Sequence, residues 1–443
     1  MTKHKTYFKL DLFVAGLFCA CIIFFFPHFA SADANSMLET GTTVNAKMKS
    51  IAADSKQDFY AKTNEIKAIR MATSLPDDFT PTDANTVSTP DSKHPVYIFF
   101  DNRENAGVIY FYTIDDTIVM NPDSSFMFAY NLALTDISGI ANWDTSHVTD
   151  MSGLFSGTSG LQDALALRNW DTSNVTNMDR MFSNAISLRF VDVTNWNTSK
   201  VTSMKCMFQV GEDWKRNGQL IEILGLGNLD VSNVTDMTSM FYGAGQMQSY
   251  DIAGWNVSKV ESMNHMFCDN SKLRSLDLSG WDVSNVKTMY DMFDDNYQLR
   301  TIGDVSHWNT SSLIDAGGWL NGAGSFVGDS TGTLDLSGWD TSNLKTVGEM
   351  FVNTKLQTID LSGWTFDSIT NERWEGANKG IFYETGNDQK ALQGFGAMFT
   401  YSTSLKTVYV SQAGLDSYEA AIERGVNTLD MWKETKTNGF TVK

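Results

Sequence analysis

Tryptophan recurs at a nearly fixed interval through most of this chain, and that interval constrains the fold more than any other feature. Trp143, Trp170, Trp196, Trp255, Trp281, Trp308, Trp339 and Trp364 are separated by 25 to 31 residues, apart from one gap of 59 that Leu229 fills. Twelve residues after each of the first eight markers stands Phe155, Phe182, Phe208, Phe241, Phe267, Phe293, Leu320 or Phe351. A period with a second residue at fixed offset marks a repeat array. Each unit then packs only on its neighbours and cannot bury its own apolar side chains alone.

The unit at residues 272–293 shows what each part can do. Leu273, Leu276 and Leu278 follow L-x-x-L-x-L spacing, so Leu276 and Leu278 share one face of a strand. Ser279 and Gly280 end that strand. Asp282 to Asn285 offer turn and capping chemistry. Val286, Met289, Met292 and Phe293 fall at i, i+3, i+6 and i+7, one side of a short helix. The expected fold is therefore an α/β repeat. It is a leucine-rich-repeat-like solenoid with one strand and one short helical segment per unit of about 26 residues. About nine units occupy 129–411. The marker tryptophans, with Phe182, Phe208, Phe241, Phe267, Phe293 and Phe351, form its structural core.

The flanks read differently. Residues 1–32 have the form of a secretory signal: Lys3, Lys5 and Lys9, an apolar stretch from Leu12 to Phe26, and Ala30-Ser31-Ala32 before Asp33. Residues 33–95 are an N-terminal segment, partly helical around Met48 to Met71. A linker follows at 75–95, which holds four of the six prolines. Residues 96–128 form a β cap whose two β-rich runs, 96–100 and 108–112, suggest a hairpin. Residues 412–443 form a C-terminal cap and tail with a helix at 413–424, which would cover the last exposed edge.

Losing the signal removes three lysines and one aspartate and takes the net charge from −19 to −21. That excludes nucleic acid or anionic lipid as the main partner, since both need basic patches. No membrane insertion is expected after cleavage. Cys206 and Cys268 remain, two units apart. At about 4.8 Å per rung they are too distant to bridge, so both are expected to be free, buried thiols.

The repeat resembles the BspA-like leucine-rich-repeat surface proteins of bacteria, in the variant with W-D-[TV]-S-N-V-x-x-M-x-x-M-F units. The match is carried by Trp170-Asp171-Thr172-Ser173-Asn174-Val175 with Met178, Met181 and Phe182, by residues 229–241, and by the units at Trp255, Trp281 and Trp339. It extends over roughly 96–411. The resemblance implies an extracellular, adhesin-like solenoid of Gram-positive bacteria and mollicutes, with no implied ligand. The chain departs from the pattern at insertion 209–223, in the unit at Trp308, which lacks Met-x-x-Met-Phe, and at insertion 366–396. It shows no wall-sorting motif, so surface association is expected to be non-covalent, or the protein secreted.

Candidate binding residues are the outward strand positions Arg189, Phe190, Asp192, Arg274, Ser275, Asp277, Gln357, Thr358 and Asp360. Trp214, Trp319 and Trp374, which lie off the repeat register, join them. The expected partner is a protein or glycan on a host or microbial surface, bound by a monomer. A spacer or decoy without a ligand is the alternative. Two aspartate rows recur, one four residues before the marker and one directly after it. The first points from the strand into solvent and the second makes Asx-turns, unless the ladder holds Ca²⁺. Neither a metal nor a cofactor is expected. Enzyme signatures are missing as well: the histidines form no metal pair, G-x-S-x-G does not occur, and Gly322-Ala323-Gly324 is followed by Val327 where a dinucleotide loop needs glycine.

Overall fold

The structure is a computed structural model and describes residues 35–211, 217–371, 393–437 and 439–443. The signal segment 1–32, Trp214 and Trp374 lie outside the described residues. The chain is a mixed α/β protein with few helices and several small sheets.

Its longest regular feature is a chain of parallel bridges from unit to unit: Asp123, Asp150, Asn177, Ser203, Asp236, Ser262, Thr288, Asp315 and Thr346. These residues stand just before the first Met position of each unit. On one side, Thr176 N–H donates to Thr149 O (2.9 Å), Thr202 to Thr176 O (2.9 Å) and Thr235 to Thr202 O (2.9 Å). On the other, Met178 N–H donates to Ser203 O (3.2 Å) and Met204 to Asp236 O (3.1 Å).

The leucine-type strands form a second, interrupted ladder. Strands β4 (Asp163–Ala164), β5 (Phe190–Asp192) and β6 (Glu222–Leu224) pair in parallel. So do β7 (Thr333–Asp335), β8 (Thr358–Asp360), β9 (Thr407–Val410) and β10 (Thr441–Val442). Between these groups, among the described residues, the ladder is reduced to a single bridge, Ser275 to Thr301, flanked by hydrogen bonds such as Leu278 N–H to Ile302 O (2.9 Å).

The helical segment expected in each unit does not form. Among the described residues the only α-helices are α1 (Gly41–Ala53) and α2 (Gln412–Glu423), both outside the repeats. Residues 178–185 show the reason. Arg180 and Asn184 have φ of 56° and 59°, which breaks an α-helix twice. Met181 N–H closes a turn on Met178 O (3.3 Å), and Ala185 closes one on Phe182 O (3.1 Å). The alternate groups point outward: Arg180 N–H to Lys205 O (2.8 Å), Phe182 to Met207 O (2.9 Å) and Asn184 to Gln209 O (2.7 Å). An α-helix would spend every N–H inside its own unit. These paired tight turns leave every second one for the neighbour, while the Met, Met and Phe side chains still face inward.

The core runs the length of the stack. All eight marker tryptophans and the six named phenylalanines are buried. Each marker indole from Trp170 onward donates to a carbonyl of the preceding unit, such as Trp281 Nε1 to Ile252 O (3.1 Å) and Trp364 Nε1 to Leu336 O (2.9 Å). The Phe182, Phe208, Phe241 and Phe267 rings stack at 5.5–5.8 Å between centroids. Asn side chains lace the outer turn: Asn233 Nδ2 donates to Ser199 O and Asn285 Nδ2 to Ser258 O, both at 2.7 Å.

The ends carry the pairing groups that a missing neighbour would supply. At the start, β2 (Tyr97–Asp101) and β3 (Val108–Tyr112) form the expected hairpin, and β1 (Ala68–Met71) adds in parallel on its other side. Helix α1 begins and ends earlier than expected, and Met71 closes β1 instead. Its Asn45 Nδ2 and buried Lys49 Nζ both donate to Ala129 O, satisfying a carbonyl of the first turn. Burial lowers the Lys49 ammonium to about 8. The expected linker is no free tether: Val87 and Val96 are buried, and Val87 N–H donates to Val96 O (2.9 Å). At the far end, Ala397, Phe399 and Tyr401 donate to carbonyls of Leu429, Met431 and Lys433 in the tail that follows α2.

Candidate functional site

The proposed strand positions divide once they are placed. Arg189, Arg274, Ser275, Asp277 and Gln357 are exposed, whereas Phe190 and Thr358 are half-buried. The Arg189 guanidinium lies over the Phe190 ring at 5.4 Å. These residues form three separate patches, before Trp196, Trp281 and Trp364, each three rungs from the next or roughly 14 Å at paired-strand spacing.

Three candidates are corrected. Asp192 and Asp360 are buried: each accepts the N–H two residues on, from Thr194 (3.0 Å) and Ser362 (2.9 Å), and each faces a cation, Arg168 and Lys443. Trp319 is fully buried against Phe293, Trp308 and Trp339, because it takes the place of the second Met of its unit.

The two aspartate rows do the same work. Asp171, Asp230, Asp282 and Asp340 accept the N–H two residues on, and so do Asp277, Asp304 and Asp335, which are exposed as strand alternation implies. Their Ser partners hold Asp171, Asp230 and Asp277 below the usual carboxylate range. Among the described residues no group of three or more His, Cys, Asp or Glu side chains is arranged to hold a metal ion. Cys206 and Cys268 are free and buried. Burial raises the Cys206 thiol to about 11 and pushes Cys268 well up, so neither offers a reactive thiolate.

A groove on the tight-turn face gathers exposed chemistry that the strand pattern does not predict. It is a cavity of about 640 Å³ lined by Asp295, Tyr297, Asn321, Gly322, Val352, Asn353, Lys355, Tyr401 and Thr403. These come from four consecutive units and from a few repeat positions. Asp295, Gly322, Asn353 and Tyr401 stand two residues after the Phe position, and Tyr297, Lys355 and Thr403 stand four after it.

The backbone explains the first set. The second residue after Phe has φ between 56° and 69° in all four units. Gly, Asn and Asp tolerate that conformation, whereas a tyrosine in it is costly. Tyr401 nevertheless occupies it with φ 59° and stays 43% exposed. Gly322 keeps the floor low, since a Cβ there would meet Asp295 Oδ1 at 2.6 Å. At the other end Tyr297 is 52% exposed. Burial, followed by its hydrogen bond to Asp295, raises its phenol.

Beside the groove lies a half-buried acidic row. Burial pushes the Asp294 carboxyl well up, helped by the charges of Asp291, Asp295 and Asp269. Burial also raises Asp269 to about 6 against the hydrogen bond it accepts from Tyr242. A second signal in the sequence could have located this face: the residues two and four after each Phe change type from unit to unit, while the Met and Phe positions beside them stay apolar.

No curated protein matches this chain. Among solved structures, one titled as the crystal structure of a TLR13–ssRNA13 complex is similar with a TM-score of 0.24 and 12% identity. The match covers 66% of this chain and 42% of that one, so this chain spans less than half of its length. A family model described as "Mycoplasma protein of unknown function, DUF285" matches at 123–223, 214–333 and 303–379. Those segments together cover more than half of the chain, which therefore belongs to the DUF285 family.

Proposed function

We propose that the protein is an exported, leucine-rich-repeat-like solenoid of the BspA-like kind that acts as a binding scaffold at or beyond the cell surface. The observation that carries this reading is the split between inside and outside. Trp, Met and Phe recur in the buried positions of unit after unit, while neighbouring exposed positions hold Arg189, Arg274, Tyr297, Lys355, Gln357 and Tyr401 in no repeated order. A spacer needs only the first property. Varied exposed side chains on a rigid, repeated backbone suit recognition of an extended macromolecule on a host or microbial surface.

Two measurements test this. Expression in a Gram-positive host with N-terminal sequencing of the culture medium and wall fraction should find a chain beginning at Asp33. Retention of an intact N-terminus inside the cell counts against export. The purified secreted chain should then be retained on host-cell monolayers, matrix-coated surfaces or bacterial cells, saturably and above a scrambled-surface variant. No saturable retention on any of them favours the spacer reading.

A further inference from the structure

Resting on the binding reading above, we propose that the groove between Tyr297 and Tyr401 is a subsite for an extended, neutral saccharide chain, with the two tyrosyl rings as stacking platforms at its ends. The two rings stand three rungs apart, roughly 14 Å at the spacing of paired strands. Both are large exposed aromatics in a molecule that buries its marker tryptophans and its column of phenylalanines. Tyrosine offers an apolar face with a polar tip, the combination a sugar ring presents in reverse.

The floor between them fits a polyhydroxylated ligand. Asn321 and Asn353 supply paired donors and acceptors, Thr403 a hydroxyl, Asp295 an acceptor and Lys355 a donor. The lining itself holds one carboxylate, Asp295, and one ammonium, Lys355, in a chain whose net charge is −19. A polyanionic glycan would meet that overall charge, and a cationic one would find Lys355 and Lys433 in the way. Lys433 already lies over the Tyr401 ring at 5.6 Å, and the residue as a whole stays 43% exposed.

Length and openness favour a polymer over a small molecule. A small-molecule site encloses most of its ligand. This groove is crossed by four units and stays open along its length, so it suits several sugar rings lying across successive rungs. Tyr401 also holds a backbone conformation that asparagine, aspartate or glycine fills in the neighbouring units. A ring kept there at a conformational cost and left exposed points to use. Tyr130, the matching residue near the start of the array, is instead partly covered, with the Tyr60 ring at 6.2 Å.

The test is calorimetric titration of the secreted chain with cellohexaose, maltohexaose, mannohexaose and chitohexaose. At least one should bind with a Kd on the order of 10 µM to 1 mM. Y401A and Y297A should each weaken it by about 10-fold or more, and Y401F should leave it within about threefold. Unchanged thermal unfolding midpoints of the variants keep the comparison clean. If none of the four hexaoses binds, or if Y297A/Y401A binds as the parent does, the assignment is wrong. Saturable retention on cells or matrix that survives Y297A/Y401A would sink the saccharide assignment and leave the scaffold reading standing. Loss of both kinds of binding in the parent chain removes both.

Discussion

Each unit contributes to two parallel ladders, and the two behave differently. The ladder through the residue before the first Met runs without a break from Asp123 to Thr346. The ladder through the leucine-type strands breaks after β6 and again before β7. Each break leaves a cleft, one of about 320 Å³ between residues 221–226 and 246–251 and one of about 350 Å³ between residues 301–306 and 328–335. The difference follows from what hangs on each backbone. Beside the continuous ladder sit Asn carboxamides and Thr hydroxyls that donate to a neighbour's main-chain carbonyl in unit after unit. The strand ladder is tied at its end alone by the indoles, which donate to carbonyls such as Leu278 O and Leu336 O of the preceding unit. The insertion at 209–223 falls on the strand side, which makes that side the freer surface.

The largest test removes a tie and its packing together. Trp281 is buried and bonds Ile252 O, so W281A should cost about 3–5 kcal/mol, the usual range for a fully buried aromatic. It should lower the thermal midpoint and broaden the transition if the array then melts from that unit outward. A loss under about 1 kcal/mol would mean the indoles are passengers.

Second comes a proline placed once in each ladder. T235P removes the N–H that bonds Thr202 O, in the interior of the continuous ladder, and should cost about 3 kcal/mol. S249P lies at an exposed position beside the first cleft and should stay within about 0.5 kcal/mol. Equal losses in urea denaturation would erase the distinction between the ladders.

The acidic row gives a smaller, pH-dependent effect. Asp269 has its folded-state value raised to about 6, above its usual 3.8, so between pH 4 and 6 the folded protein holds a proton that the unfolded chain has released. Its contribution to stability therefore falls as pH rises through that window and stays low above it. D269N keeps a side chain that tolerates the φ of 59° and removes the charge. It should raise stability by about 1–2 kcal/mol at pH 7, after allowing for partial exposure, and by nothing at pH 3.5. A gain independent of pH would assign the effect to packing instead.

How much of this could be read in the sequence divides along the same line. The interior was legible: Trp143 to Trp364 and the Phe column are buried as their spacing implies, because burial by translation demands the same residue at the same step. The turn geometry was not. Val286, Met289, Met292 and Phe293 fit one side of a helix and equally fit two tight turns in series. Residues such as Asp291 and Asp295, which take positive φ there, carry no signal as plain as glycine would. Asp192 and Asp360 were misplaced for a related reason: alternation along a strand predicts which way a side chain leaves, and a carboxylate that folds back onto the N–H two residues on ends up buried. The tyrosine groove was invisible to strand reasoning, since it belongs to positions counted from Phe.

The smallest effect asks whether the breaks in the strand ladder come from the core or from the surface. Trp319 stands where other units carry their second Met, and its indole nitrogen is buried with no hydrogen-bond partner among the described residues. Replacing it by methionine removes a donor whose isolation costs about 1–3 kcal/mol, and also removes ring volume that packs on Trp308 and Trp339, a loss of comparable size. W319M should therefore move stability by no more than about 1 kcal/mol. Amide exchange at Thr301 and Thr333 should be unchanged, since the neighbouring cleft arises from the extra residues between these strands. Slower exchange at both sites in W319M would mean that the core shapes the cleft, and that the two ladders are not independent.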